Sequence, residues 1–219
     1  MINNKLIDPK SIVIVGASAD VHKPGGKLVT NLLNSNFKGQ VYLVNPKEDA
    51  INGIKCYHQV EDLPQVDCAI LAIAAKYCPH TIDVLAHQKE TGGYIIVSAG
   101  FGEENEEGAR LEKQIVDHIN SVGGSLIGPN CTGFLNTNYC GAFDAPIPTL
   151  NPKGVEFITG SGATAVFIKE YGMSNGLTFS SVWAVGNSAQ MGIEDVLEHL
   201  DNTFDPEKSS RIIMLYMEK

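Results

Sequence analysis

The chain's 219 residues are enough for one large domain or two smaller ones, and a hydrophobic content of 43% supports a packed core. A formal net charge of −9 with no basic run argues against a nucleic-acid partner. Five cysteines, an odd number with no CxxC pair, indicate neither a disulfide framework nor a zinc ribbon, so reduced thiols in a cytoplasmic protein are expected.

The polar N-terminus has no signal-like apolar core, and no apolar run approaches the roughly 20 residues of a membrane helix. Ser11–Val15 is a short β-branched run that ends abruptly in Gly16–Ala17–Ser18. This reads as a buried strand feeding a tight turn, followed by a helix from about Gly25 to Ser35 with Leu28, Leu32 and Leu33 on one face. Strand, small-residue turn and helix begin a mononucleotide-binding βαβ unit, in which a phosphate approaches backbone N–H groups near a helix N-terminus. A tight βα turn with no ligand reads equally well. The turn is not a dinucleotide fingerprint, because Ser18 and Val21 stand where that pattern needs glycine.

The next strand, Val41–Val44, runs into Asn45–Pro46–Lys47. An NAD site carries an acid at this point. Lys47 suits a phosphate instead, as on coenzyme A or NADP, although a solvated turn lysine is the commoner fate of any single Lys. Asp67–Ile73 is a third strand, with Pro79 early in the following helix. Tyr94–Ser98 is a fourth, ending in Ala99–Gly100–Phe101–Gly102. The acidic stretch Glu103–Glu107 opens a helix that Gly123–Gly124 stops. Ser125–Ile127 is a fifth strand, ending in Gly128–Pro129–Asn130–Cys131. Five strands alternating with helices make a parallel, doubly wound α/β sheet that binds ligands at its carboxyl edge. Cys131, with no histidine beside it in sequence, is read as structural.

Residues 132–152 lose periodicity and carry Pro146, Pro148 and Pro152, which predicts a linker or crossing segment. A second alternating block follows: strand Val155–Ile158, turn Thr159–Thr164, helix Ala165–Tyr171, strand Ser181–Val185, helix Ile193–Leu200 and strand Arg211–Tyr216. A chain ending inside such a pattern is read as a fragment, or as one that needs a partner to cover its edges.

The strand-end motifs together carry a resemblance. GAS at Gly16–Ser18, VNPK at Val44–Lys47, SAGF at Ser98–Phe101 and GPNCTG at Gly128–Gly133 are followed by ITGSGA at Ile158–Ala163, VGN at Val185–Asn187 and IIMLYMEK at Ile212–Lys219. In this order and spacing the set resembles the NDP-forming acyl-CoA synthetases, the ADP-forming acetate–CoA ligase type, relatives of the succinyl-CoA synthetase α subunit. The resemblance implies a Rossmann-like CoA-binding domain over residues 1–145. It implies a partial, succinyl-CoA-ligase-like flavodoxin domain over residues 146–219. The implied reaction interconverts acyl-CoA, ADP and phosphate with the acid, CoA and ATP, through an acyl phosphate and a phosphohistidine. CoA is the implied ligand of this chain. ATP or ADP and Mg belong to a grasp-type nucleotide-binding subunit or fused region, in an oligomer.

The roles it implies are specific. Gly16, Ala17 and Ser18 line the CoA phosphates, and Lys47 stands near its nucleotide end. Ser98, Ala99 and Gly100 flank the pantetheine, and Asn130 lies near the thiol. Ser161, Gly162 and Ala163 hold the phosphoryl group, and Glu218 orients the phosphohistidine. Two departures stand out. Gly160 replaces the usual glutamine of an SQSGA loop, and none of the six histidines lies in an SHTG-like segment. His22, His58, His80, His87, His118 and His199 read as surface or helix residues, and no metal-ligating set is read. A CoA-binding regulatory module without catalysis is the alternative reading.

Overall fold

Alternate residues of the first apolar run feed two different cores, which is why the run is apolar throughout. The computed structural model describes residues 2–217. In it, β1 (Ser11–Val15) sends Ile12 and Ile14 to one face of a sheet and Val13 and Val15 to the other. On the first face lies α2 (Pro24–Leu33), burying Leu28, Val29 and Leu32; the short α1 (Asn4–Ile7) precedes β1. On the second lie α3 (Cys78–Gln88) and α4 (Glu106–Ser121), through Ile82, Leu85, Ile115 and Ile119. Each such aliphatic side chain contributes about 1.5–3 kcal/mol when fully buried.

The strands completing this sheet are β2 (Gln40–Val44), β3 (Ala50–Ile51), β4 (Ile54–Tyr57), β5 (Cys68–Leu71), β6 (Gly93–Ile96) and β7 (Ser125–Ile127). Their order is β3-β4-β2-β1-β5-β6-β7, parallel except for the β3–β4 hairpin. The chain leaves β1 for β2 on one side and returns to β5 on the other. The order therefore reverses between β1 and β5, and a crevice opens there at the carboxyl edge.

A second sheet contains β8 (Gly133–Asn136), β9 (Cys140–Ala142), β10 (Leu150–Thr159), β11 (Phe179–Ala184) and β12 (Ile213–Tyr216), in the order β12-β10-β11-β8-β9. Strands β12, β10 and β11 are parallel, and β8 runs antiparallel to both β11 and β9. Helices α5 (Gly162–Ser174) and α6 (Ile193–Asn202) complete the block. The segment 132–152 is therefore not a linker. It forms the β8–β9 hairpin and the start of β10, and the sheets divide before β8. The Asn31 side chain of α2 donates to the carbonyls of Ala142 (2.8 Å) and Asp144 (3.1 Å), fastening the hairpin to the first block. One core runs through both blocks, from Ile12 and Leu28 to Phe134, Ile158, Trp183 and Val196. Among the described residues no helix is long and apolar enough to cross a membrane.

Candidate functional site

The turn after β1 is held by contacts that the sequence pattern does not reveal. Gly16 has φ +86°, and a Cβ there would stand 2.5 Å from the Ala72 carbonyl oxygen at the end of β5. The N–H groups of Gly16 and Ala17 both donate to the Val44 carbonyl, at 3.0 and 3.2 Å. Both are thus committed to the sheet. Ser18 and the Gly25 N–H are left as donors on this turn, since Pro24 has no N–H and the Gly26 and Lys27 N–H groups both donate to the Lys23 carbonyl at 3.0 Å. Helix α2 approaches so closely that a Cβ on Gly25 would lie 1.9 Å from the Gly16 oxygen, and one on Gly26 2.0 Å from the Asp20 oxygen. The glycines missing from the fingerprint positions are supplied inside the helix, where they bring its N-terminus against the strand end.

Asn45 joins this turn to its neighbour. Its amide donates to the Ala17 carbonyl (2.7 Å), and its Oδ1 accepts from the N–H groups of Lys47 (2.8 Å) and Glu48 (3.2 Å). The Lys47 side chain is exposed beside the crevice. Lys23 and Lys27 stand at the start of α2, with Lys23 Nζ 3.9 Å from Asp20 Oδ2.

At the end of β6, Ser98 accepts the Asn130 N–H through its carbonyl (2.9 Å), so the β6 and β7 turns are adjacent. Asn130 is exposed with φ +54°. Gly100 has φ +101°, and its N–H donates to the Glu103 carboxylate (2.6 Å). Glu103 was expected to open α4. That helix is instead capped by Asn105, whose side chain accepts the Gly108 N–H (2.9 Å), and Glu103 folds back over the loop. Burial disfavours the Glu103 charge, but hydrogen bonds from the Asn187 amide and the Gly100 and Phe101 N–H groups outweigh it and hold the carboxyl below its ordinary range. Asn187 also donates to Glu112 (2.9 Å), and its N–H donates to the Pro129 carbonyl (2.9 Å). Asn187, from the second block, thus ties together the β6, β7 and β11 turns. Cys131 is 4% exposed, with its thiol 3.3 Å from the Ile96 carbonyl oxygen. Burial pushes that thiol up to about 12, which fits a structural cysteine and not a nucleophile.

The turn after β10 completes the edge. Thr159 Oγ1 accepts the Ser161 N–H and donates to the Ser161 carbonyl, both at 3.0 Å. Ser161 caps α5 by accepting the Thr164 N–H at 3.4 Å. A Cβ on Gly162 would stand 2.7 Å from Thr132 Cγ2, so the N-terminus of α5 sits against the β7 turn. A Cβ on Gly160 would meet nothing within 4 Å; the loop is open to the outside there. Gly160 N–H donates to the Tyr216 carbonyl (3.2 Å), which sets the end of β12 beside the loop. Glu218 lies outside the described residues.

The structure therefore brings Ser98, Asn130, Ser161 and Gly162 together through their turns, and Ala17 and Lys47 together through Asn45. This donor set fits an elongated anionic ligand. It offers Lys47 at one end, an uncapped helix start and hydroxyl groups, and a second helix N-terminus past Asn130. A cavity of about 690 Å³ lies elsewhere, bordered by Phe134, Glu156, Trp183, His199 and Arg211, and holds none of these motifs.

The family described as CoA binding domain matches residues 10–137. The chain belongs to this CoA-binding family. The CoA-binding domain is followed by a match to the succinyl-CoA ligase like flavodoxin domain over residues 152–219. The chain is 37% identical over 217 residues to acetate–CoA ligase [ADP-forming] I of Archaeoglobus fulgidus, covering 98% of this chain and 30% of the relative. It is 36% identical over 213 residues to acetate–CoA ligase [ADP-forming] II subunit alpha of Pyrococcus furiosus, covering 96% and 45%. The dinucleotide forming acetyl-coenzyme A synthetase 1 of Ca. Korarchaeum cryptofilum, solved with phosphate and ADP, superposes with a TM-score of 0.85 at 32% identity, covering 97% of this chain and 44% of that one. The chain thus spans less than half the length of these relatives. Within the CoA-binding domain, sequence reasoning missed Gly25, Gly26 and Asn45 as the residues that shape the crevice. Only the adjacency of two glycines at a helix start could have signalled the first pair. Asn187 appeared in the VGN motif, but its bonds to Glu103 and Glu112 depend on packing between the blocks.

Proposed function

We propose that this chain is the CoA-binding part of an ADP-forming acyl-CoA synthetase, which interconverts acyl-CoA, ADP and phosphate with the free acid, CoA and ATP. The observation that carries the reading is the match to ADP-forming ligases over nearly the whole chain. The meeting of the strand-end turns along one edge supports it. CoA lies along the crevice. Gly16 and Ala17 give the turn its shape under the phosphates, Ser18 donates to them, and Lys47 meets the 3′-phosphate. Ser98, Ala99 and Gly100 flank the pantetheine, which brings the thiol to Asn130. Beyond Asn130, Ser161, Gly162 and Ala163 offer hydroxyl and N–H donors at the start of α5, suited to a phosphoryl group whose negative charge must be held during transfer. Glu218 orients the phosphohistidine.

ATP or ADP and Mg belong to a grasp-type nucleotide-binding subunit or fused region. Uncovered apolar surface supports such a partner. Phe167 and Tyr171 stack on the outside of α5 at 68% and 67% exposure, and the edge strand β12 exposes Ile213, Leu215 and Tyr216. All five cysteines are free and buried, which supports a cytoplasmic location.

Lys47→Ala tests the assignment. Lys47 is exposed, so its contact with the 3′-phosphate is worth at most about 1 kcal/mol. Calorimetry should show CoA affinity falling roughly three- to fivefold, with dephospho-CoA affinity unchanged. Equal losses for both ligands would contradict the placement of the 3′-phosphate.

A further inference from the structure

A cluster of ligating side chains stands away from the crevice, on the outer side of α3 and α4. Asp83 and His87 are four residues apart on α3, so they share one face. The last turn of α4 brings in His118. Asp83 Oδ1 lies 3.5 Å from His87 Nε2 and 3.3 Å from His118 Nδ1, and one ligating atom from each of the three residues falls within 4.8 Å of the others. The two imidazole rings are edge to face, with centroids 5.8 Å apart.

We propose that Asp83, His87 and His118 form a divalent transition-metal site of the zinc type that clamps α3 to α4. Four ligands at about 2.0–2.2 Å from zinc in a tetrahedron stand about 3.3–3.6 Å from one another. The two distances to Asp83 already have that value. They are longer than the roughly 2.7–3.2 Å of an ordinary hydrogen bond, so the carboxylate is not tightly bonded to either ring. Two imidazole nitrogens and one carboxylate oxygen favour zinc, cobalt, nickel or copper over magnesium and calcium, which prefer oxygen ligands alone. The side chains of Asp83, His87 and His118 are 46%, 43% and 33% exposed, so water can reach the fourth position.

The place in the fold makes the site independent of CoA. Helices α3 and α4 run back from the carboxyl edge of the parallel sheet. The second half of α3 and the end of α4 therefore lie toward the opposite, amino-terminal edge. The spacing of Asp83 and His87 alone does not mark a site in the sequence; the third ligand arrives only when α4 packs beside α3.

The test is a titration of the chelator-treated chain with Zn²⁺ by calorimetry and with Co²⁺ by its visible absorption, at mildly alkaline pH. One equivalent of Zn²⁺ should bind and should not be displaced by excess Mg²⁺. Co²⁺ should give the intense visible bands of a four-coordinate site. A hundredfold excess of Zn²⁺ over its Kd should raise Tm by about 5–10 °C. His87→Ala and His118→Ala should each weaken Zn²⁺ by more than about tenfold, while leaving the metal-free Tm and the metal-free CoA affinity unchanged. Zn²⁺ binding that persists unaltered in both variants would overturn the proposal, and so would the absence of saturable binding below millimolar Zn²⁺.

Discussion

Gly25→Ala should destabilise the chain by about 3 kcal/mol or more and weaken CoA binding with it. Alanine is the better helix former by about 1 kcal/mol, so propensity alone predicts a gain. The contact decides otherwise. A Cβ at Gly25 would stand 1.9 Å from the Gly16 carbonyl oxygen and 3.0 Å from its carbon. Both atoms are backbone and cannot rotate away, so α2 must shift off the β1 turn. That shift pulls Leu28, Val29 and Leu32 out of register with the core they fill. Overpacking of a well-filled site costs typically 1–3 kcal/mol with flexible neighbours, and rigid ones leave no relaxation. Urea unfolding measures the loss, with Gly160→Ala as the internal control. A Cβ at Gly160 meets nothing within 4 Å, so that variant should stay within about 0.5 kcal/mol of the parent. A Gly25→Ala chain as stable as the control would refute the close approach of helix and turn.

Lys169→Met should cost about 3–5 kcal/mol, which the double variant Lys169→Met/Asp144→Leu should largely recover. Lys169, on α5, is fully buried, and its Nζ lies 2.6 Å from Asp144 Oδ2; Asp144 follows β9 and is 6% exposed. The second carboxylate oxygen, Oδ1, has no hydrogen-bond partner. Removing the ammonium leaves a buried carboxylate with nothing to offset its lost hydration. Removing both charges leaves an apolar site of similar volume, which proteins tolerate well. The pair fastens α5, whose first turn carries Ser161, Gly162 and Ala163, to the β8–β9 hairpin. Thermal and urea unfolding of the two single variants and the double variant form a cycle. A small effect of Lys169→Met alone would contradict the burial of this pair.

The strands and helices with strong apolar patterns were legible in the sequence because burial on one or both faces dictates them. Ser11–Val15, Asp67–Ile73 and Tyr94–Ser98 read as strands for that reason, and the structure has strands at Ser11–Val15, Cys68–Leu71 and Gly93–Ile96; Leu111, Ile115 and Ile119 likewise marked α4 as a helix. The β8–β9 hairpin was not legible. Its strands, Gly133–Asn136 and Cys140–Ala142, hold no sustained apolar run, being interrupted by glycine and asparagine, and the prolines after it resemble a linker. The short β3 and β4 strands escaped for the same reason. The site was half legible. Small polar residues after each strand marked the edge, but Glu103 reads as a helix-start charge and Glu112, inside α4, carries no signal of its own. Their bonds to Asn187 arise only when the second block docks. The commitment of the Gly16 and Ala17 N–H groups to Val44 is likewise a property of strand pairing, invisible in a turn motif.

The proposed ligand of the carboxyl edge of the first sheet is CoA. Calorimetric titration of the chain with CoA, NAD and NADP in parallel tests it most directly. One equivalent of CoA should bind saturably, with no binding of NAD or NADP at the same concentrations. Binding of NADP without binding of CoA would contradict it.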